Sequence, residues 1–200
     1  MFAALSFPNI DPVALSVPLP FLDRTVDIHW YGIMYLLSFG LVWAVGRYHA
    51  RRAHVALNPE EVGDLILYGA VGVVLGGRLG YVLFYAFPAL VHDPLMLLRV
   101  WEGGMSFHGG MVGVVVALLW YARAHRIALL RLADHVALFV PVGLMLGRIG
   151  NFINGELYGA PTDGTWGVVF PGDPLGVPRH PSQLYEATLE GPVLLLALVL

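Results

Sequence analysis

The residues of this sequence that could do chemistry are polar side chains set inside apolar runs. Arg148 stands in Gly147-Arg148-Ile149-Gly150-Asn151-Phe152-Ile153-Asn154-Gly155-Glu156-Leu157-Tyr158-Gly159. A guanidinium stays charged and matches phosphate oxygens in pairs. Asn151 and Asn154 offer neutral donors, and Glu156 is expected to orient Arg148. This pattern predicts a site for an anionic group in preference to a glycine-rich helix end with a snorkelling arginine. Arg78 stands in Gly76-Gly77-Arg78-Leu79-Gly80-Tyr81, near the middle of another apolar run. An arginine at that depth is costly. It reads as a second anion site, with a structural pairing to a buried acid or to helix carbonyls as the alternative. His108, in Met105-Ser106-Phe107-His108-Gly109-Gly110, is a general base near neutral pH or a packed interface side chain. His180 lies in Arg179-His180-Pro181-Ser182-Gln183-Leu184-Tyr185-Glu186. Glu186 and Glu190 follow one helical turn apart, where a satisfied interface pair is expected. Tyr31, Tyr35, Tyr81 and Tyr85, with His29 and Trp30, suit an aromatic belt at a membrane surface.

The elements that position these residues follow from composition. Of 200 residues, 58% are apolar and 12% charged, half the roughly 25% charged content of soluble domains. This excludes a disordered chain, a soluble nucleic-acid binder and a disulfide scaffold. Charge-free or nearly charge-free runs cover Ile28–Gly46, Leu65 to about Val91, Met105–Ala122 and His135 to about Asn154, and a fifth begins near Tyr185. A hydrocarbon core of about 30 Å requires roughly 20 apolar helical residues. Backbone polar groups in lipid must be satisfied within the segment, so the runs predict an all-α, polytopic helix bundle with about five spans.

The expected organisation is an outer N-terminal arm over 1–27, irregular or interfacial because of its prolines (Pro8, Pro12, Pro18, Pro20), then transmembrane helices 1–4 over 28–154. An outer segment over 155–184 and the start of a further helix over 185–200 follow. Met1–Ser6 lacks the basic region of a secretory signal, so the first span is expected to be retained as an anchor. The last run is too short for a span. Either the fifth helix starts well upstream, or the chain lacks a C-terminal part.

All eleven basic residues are arginine, and their placement sets the orientation. Arg47, Arg51, Arg52, Arg123, Arg126 and Arg131 mark two basic loops as cytoplasmic. Arg24, Arg99 and Arg179 mark the poorer, outer side. With this topology the unusual polar residues fall at mid-membrane or in the outer half, which predicts one polar cavity open to the outer leaflet. Metal-ligand spacing, Walker A, dinucleotide and nucleophile-elbow patterns are absent from the sequence. Ser106 and His108 are too close in sequence to read as a hydrolase pair. Residue physics alone leaves an enzyme and a transporter or channel for an anionic solute near parity, with a structural membrane subunit, which would not require intramembrane arginines, as a weaker third class.

The stretches His29–Tyr35, Gly76–Tyr85, Trp101–Gly110, Gly147–Gly159 and Arg179–Glu186 resemble, in order, those of the prolipoprotein diacylglyceryl transferases. The run Gly-Arg-Ile-Gly-Asn-Phe-Ile-Asn-Gly-Glu is the most specific of them. The resemblance implies a bacterial inner-membrane enzyme for the first step of lipoprotein maturation. It would move the diacylglyceryl group of phosphatidylglycerol to the lipobox cysteine of a prolipoprotein, forming a thioether and releasing glycerol phosphate. It implies no metal or organic cofactor, and usually seven spans, with a further essential Arg and an acid beyond the residues present here. By the same resemblance Tyr31, Glu156 and Gly159 form the site with His108 and Arg148. His108 is then the thiol-side proton acceptor. Arg148 binds the phosphate with Asn151 and Asn154, and Arg78, Tyr81 and Tyr85 shape the headgroup pocket. The chain has no cysteine, so the reactive thiol belongs to the substrate.

Overall fold

The computed structural model describes residues 5–19, 24–51, 57–162 and 166–200. Arg52 and Pro20, used above, lie outside them. Helices dominate. The stretches Glu61–Tyr85, Phe107–Ala124 and Leu129–Ile153 are long and apolar enough to cross a membrane. The first expected span is helix α1, Trp30–Ala50, with 21 residues. Its tyrosines, tryptophans and glycines keep it out of that most apolar set. Contacts divide the chain into two units, one of Met1–Ala44 with Ala137–Leu200, the other of Val45–Val136.

The second unit is built on α2 (Glu61–Tyr85) and α4 (Phe107–Ala124). Glu61 and Asp64 in the first turn of α2 suit the positive end of its dipole. The Ser106 hydroxyl caps α4, accepting from the Gly109 amide at 3.2 Å. Between them lie α3 (Phe87–His92), opened by Pro88, and two 3-10 turns, Pro94–Leu98 and Val100–Glu102. Helix α5, Leu129–Ala137, follows. Gly72, Gly76 and Gly80 of α2 face Gly109 and Gly113 of α4. A methyl group on Gly72 would sit 2.6 Å from the Gly113 carbonyl oxygen, and one on Gly80 2.8 Å from the Gly109 Cα. The backbones touch because side chains are missing on both sides, the close approach that small residues allow in membranes. Below this seam Val62, Leu65, Tyr121 and Leu132 are buried.

In the first unit, α6 (Val140–Ile153) opens with Pro141 and closes where Gly155 adopts φ 67°. The chain re-enters a helix at α7 (Ser182–Thr188), continues through a π-helical turn, Leu189–Val193, and ends in α8 (Leu194–Val199). The N-terminal arm departs from the irregular expectation. Strand β1 (Leu5–Ser6) pairs in parallel with β4 (Val168–Val169), and β2 (Val13–Leu19) pairs antiparallel with β3 (Arg24–His29). Val13, Leu15 and Val17 alternate with period two, as do Val26 and Ile28. A two-stranded pair leaves each strand an outer edge, which tolerates Pro18. Phe7 packs between Phe152 and Phe170, with ring centroids 5.5 and 5.4 Å away.

Candidate active site

Each unit gathers part of the predicted polar set. In the first unit the end of α6 carries Arg148, Asn151 and Asn154. The turn after it brings Glu156 back over the helix end, its amide donating to the Asn151 carbonyl at 3.0 Å. Asn151 and Asn154 then donate from Nδ2 to the same carboxylate oxygen, Oε1 of Glu156, at 3.0 and 3.1 Å. Gln183, fully buried on α7, donates to the Glu156 carbonyl at 2.6 Å.

Arg148 is not oriented by Glu156, as the sequence led us to expect. Its Nη2 lies 2.6 Å from Oε2 of Glu186, and its Nε 4.0 Å from Oε2 of Glu190. The reason is local. Glu156 is already committed to two amides, while α7 and the π-helical turn after it present Glu186 and Glu190 to α6. The sequence does show Glu186 and Glu190 on one helix face, but not what that face meets.

Gly159 and His180 come together through the backbone. The Gly159 amide donates to the His180 carbonyl at 2.9 Å, and the His180 amide to the Ala160 carbonyl at 3.1 Å. A side chain on Gly159 would meet His180 and Ser182 at 3.0–3.3 Å. His180 Nδ1 lies 3.2 Å from the Tyr185 hydroxyl. Tyr31 packs on the bare face of Gly150, where a methyl would be 3.0 Å from its ring, and its hydroxyl lies 3.1 Å from that of Tyr35. Arg179 and Asp173, absent from the predicted set, clamp the excursion between α6 and α7.

In the second unit Arg78 is 4% exposed. Its guanidinium hydrogen-bonds backbone carbonyls of Met96, Leu97, Arg99, Gly103 and Gly104. That is the carbonyl-pairing alternative, and these bonds occupy its nitrogens. Tyr81 lies against Gly104, and Tyr81 stacks on Tyr85 with ring centroids 6.0 Å apart. Gly103 and Gly104 take φ of 82° and 78°, the left-handed turn that leads into Ser106 and α4. Arg99 holds the same loop from outside, through Asp93 and through Glu102 at 2.9 Å. The Arg99 hydrogen bond keeps the Asp93 carboxyl below its ordinary value. His108 is exposed in the first turn of α4, edge-on to Phe107. With Tyr85 it borders an apolar groove of about 1270 Å³ along α2 and α4, lined by Leu75, Leu79, Val112 and Trp120.

The family model for prolipoprotein diacylglyceryl transferase matches residues 19–200. The chain belongs to this family. A phosphatidylglycerol–prolipoprotein diacylglyceryl transferase of Teredinibacter turnerae is 57% identical over 194 residues, which cover 95% of this chain and 68% of that protein. One from a Marinomonas species is 54% identical, with 94% and 67% covered, and one from Methylococcus capsulatus 52%, with 97% and 72%. The chain thus spans about two thirds of the length of these relatives. The transporter alternative finds no support among them. At the end of α6 this chain gathers a cation, two amides and a carboxylate.

Proposed function

We propose that this chain transfers the diacylglyceryl group of phosphatidylglycerol to the lipobox cysteine thiol of a prolipoprotein. The observation that carries the site reading is the convergence of Arg148, Asn151, Asn154 and Glu156 at one helix end. The thiolate of the substrate attacks the glyceryl carbon that bears the phosphate. A C–S bond forms, the C–O bond breaks, and its electrons leave with glycerol phosphate. Arg148 binds the phosphate and neutralises the charge that grows on it. Asn151 and Asn154, their amides aligned by Glu156, hold the headgroup beside it, with Tyr31 and Gly159 shaping the walls. His108 accepts the thiol proton. Arg78, Tyr81 and Tyr85 serve this chemistry by fixing the loop that leads to His108. Holding two membrane-bound substrates in register supplies part of the rate.

The enzyme resides in the bacterial inner membrane with the site toward the outer leaflet. Six arginines in the two basic loops, against three in the other polar segments, support that orientation.

The test is an assay in membranes containing the protein, phosphatidylglycerol and a lipobox peptide. A thioether-linked diacylglyceryl product forms with the native chain and disappears with Arg148→Ala. Product formation unchanged in both Arg148→Ala and His108→Ala overturns the site assignment.

A further inference from the structure

Arg148 faces two carboxylates with one positive charge. Oε2 of Glu186 sits 2.6 Å from its Nη2, on the terminal edge of the guanidinium that a phosphate would use. Oε2 of Glu190 stands 4.0 Å from Nε; this oxygen is buried and has no hydrogen-bond partner among the described residues. The π-helical turn Leu189–Val193 carries Glu190 and contains Pro192, and Gly191 within it has φ −89° and ψ −106°, outside the helical range. Such turns frequently mark functional sites. Gly191 lies against α6, where a methyl on it would come 2.7 Å from the Met145 Cβ. The turn therefore seats Glu190 beside Arg148, and α7 just before it carries Glu186. The side chains of Arg148, Glu186 and Glu190 keep 30%, 34% and 40% of their surface exposed, so the pair is open to exchange.

We infer that Glu186 is an exchangeable counter-ion of Arg148, displaced when a phosphate headgroup binds and restored when glycerol phosphate leaves. The inference rests on the reading of Arg148 as the phosphate ligand. Its physical basis is competition for one edge of one guanidinium. The entering lipid is a phosphodiester with one negative charge. The leaving product is a phosphomonoester, which carries about 1.5 to 2 negative charges near neutral pH. An arginine with no competitor would hold the product more tightly than the substrate. A carboxylate waiting at the same edge weakens both and lets the product go. Glu190 stays beside Nε throughout and keeps the side chain in place. Glu186 is thus a positioning residue that acts through Arg148.

The experiment uses the full chain in phosphatidylglycerol-containing vesicles with a lipobox peptide, and measures KM, kcat and inhibition by added glycerol phosphate. An exposed ion pair of this kind corresponds to about fivefold in affinity. Glu186→Gln is expected to lower KM for phosphatidylglycerol and the inhibition constant of glycerol phosphate by about that factor, with kcat lower because product leaves slowly. Glu186→Asp restores native behaviour in part. A merely structural role raises KM instead, and a KM and inhibition constant that are unchanged or higher in Glu186→Gln overturn the inference. Should Glu186→Gln fail to fold, Glu186→Asp carries the same test: its shorter carboxylate reaches the Nη2 edge less well, so a smaller shift in the same direction is expected, and no shift there overturns the inference. Arg148→Gln separates the two readings. Glycerol phosphate inhibition that persists in Arg148→Gln removes the phosphate site itself. Inhibition that depends on Arg148 but ignores Glu186 removes the counter-ion alone.

Discussion

Arg179 grips Asp173 with two parallel hydrogen bonds, Nε to Oδ2 and Nη2 to Oδ1, both 2.8 Å long. The same carboxylate accepts from the amides of Leu175 and Val177 at 3.3 Å, and the guanidinium lies over the Tyr158 ring, 5.1 Å from its centroid. The Arg179 backbone pairs with Val168, and the next residue, His180, pairs with Gly159 and Ala160. The clamp therefore sets the register between the turn that carries Glu156 and the helix that carries Gln183 and Glu186.

The first prediction concerns acid. The Arg179 hydrogen bond, helped by the two amides, holds the Asp173 carboxyl below its ordinary value. A carboxyl lowered in the folded state contributes stability above its unfolded pKa and loses it as pH falls through the folded value. Residues 155–162 and 166–181 are expected to stay protected from hydrogen exchange at neutral pH and to open below about pH 4. Asp173→Asn opens the segment at neutral pH and removes the acid-dependent step. An acid step of the same size in Asp173→Asn contradicts the clamp.

The second prediction concerns the glycine seam. Gly72→Ala places a methyl 2.6 Å from the Gly113 carbonyl oxygen, which is backbone and cannot swing aside. Overpacking of this kind costs about 1–3 kcal/mol. Gly69, on the same helix, has nothing within 4 Å of an added methyl, so Gly69→Ala is expected to be neutral or slightly stabilising. Thermal unfolding in detergent compares the two. Equal midpoints argue against close backbone packing of α2 on α4.

Part of this was legible in the sequence. The charge-free runs gave the helices because lipid permits few other solutions. Gly76-Gly77-Arg78 and the Gly147–Gly159 run pointed to the two polar groups because arginine and asparagine in apolar surroundings require partners. The partners themselves were not legible. Glu156 follows Arg148 closely in sequence and looks like its counter-ion, yet the turn at Gly155 delivers it to Asn151 and Asn154. The true counter-ions, Glu186 and Glu190, lie some forty residues on, and only packing brings them back. The β2–β3 pair was hidden by prolines, although the alternation in Val13, Leu15 and Val17 was a usable signal. In the sequence Arg78 and Arg148 look alike, each set in an apolar run. They differ in what the neighbouring backbone offers, a loop whose carbonyls turn toward Arg78 in one case and a helix end whose carbonyls accept backbone amides in the other.

That difference gives a third prediction. Arg78→Met leaves the Leu97, Gly103 and Gly104 carbonyls without the donor they have here, and each hydrogen bond to a charged group contributes about 1.5–3 kcal/mol. Arg78→Lys retains charge with three donors in place of five and recovers part of the loss. Folded protein yield and thermal midpoint should fall in the order native, Lys, Met. KM for phosphatidylglycerol, measured on the folded fraction, should stay within about twofold, since 0.4 kcal/mol or so is all that factor represents. A large KM change at native stability would return Arg78 to the role of an anion site.

The fourth prediction separates His108 from the cap beneath it. His108 is exposed and touches the Phe107 ring, so His108→Gln should leave the thermal midpoint in place. If it accepts the thiol proton, kcat falls by about 10²-fold or more while KM for phosphatidylglycerol holds. Ser106 is buried, and its hydroxyl receives the Gly109 amide at the start of the same helix. Ser106→Ala should therefore cost about 1 kcal/mol of stability through the lost cap. Its kcat per folded molecule should change far less than in His108→Gln. Opposite responses in these neighbouring variants distinguish chemistry from scaffolding. A native kcat in His108→Gln transfers the proton to another acceptor, while leaving Arg148 and its phosphate untouched.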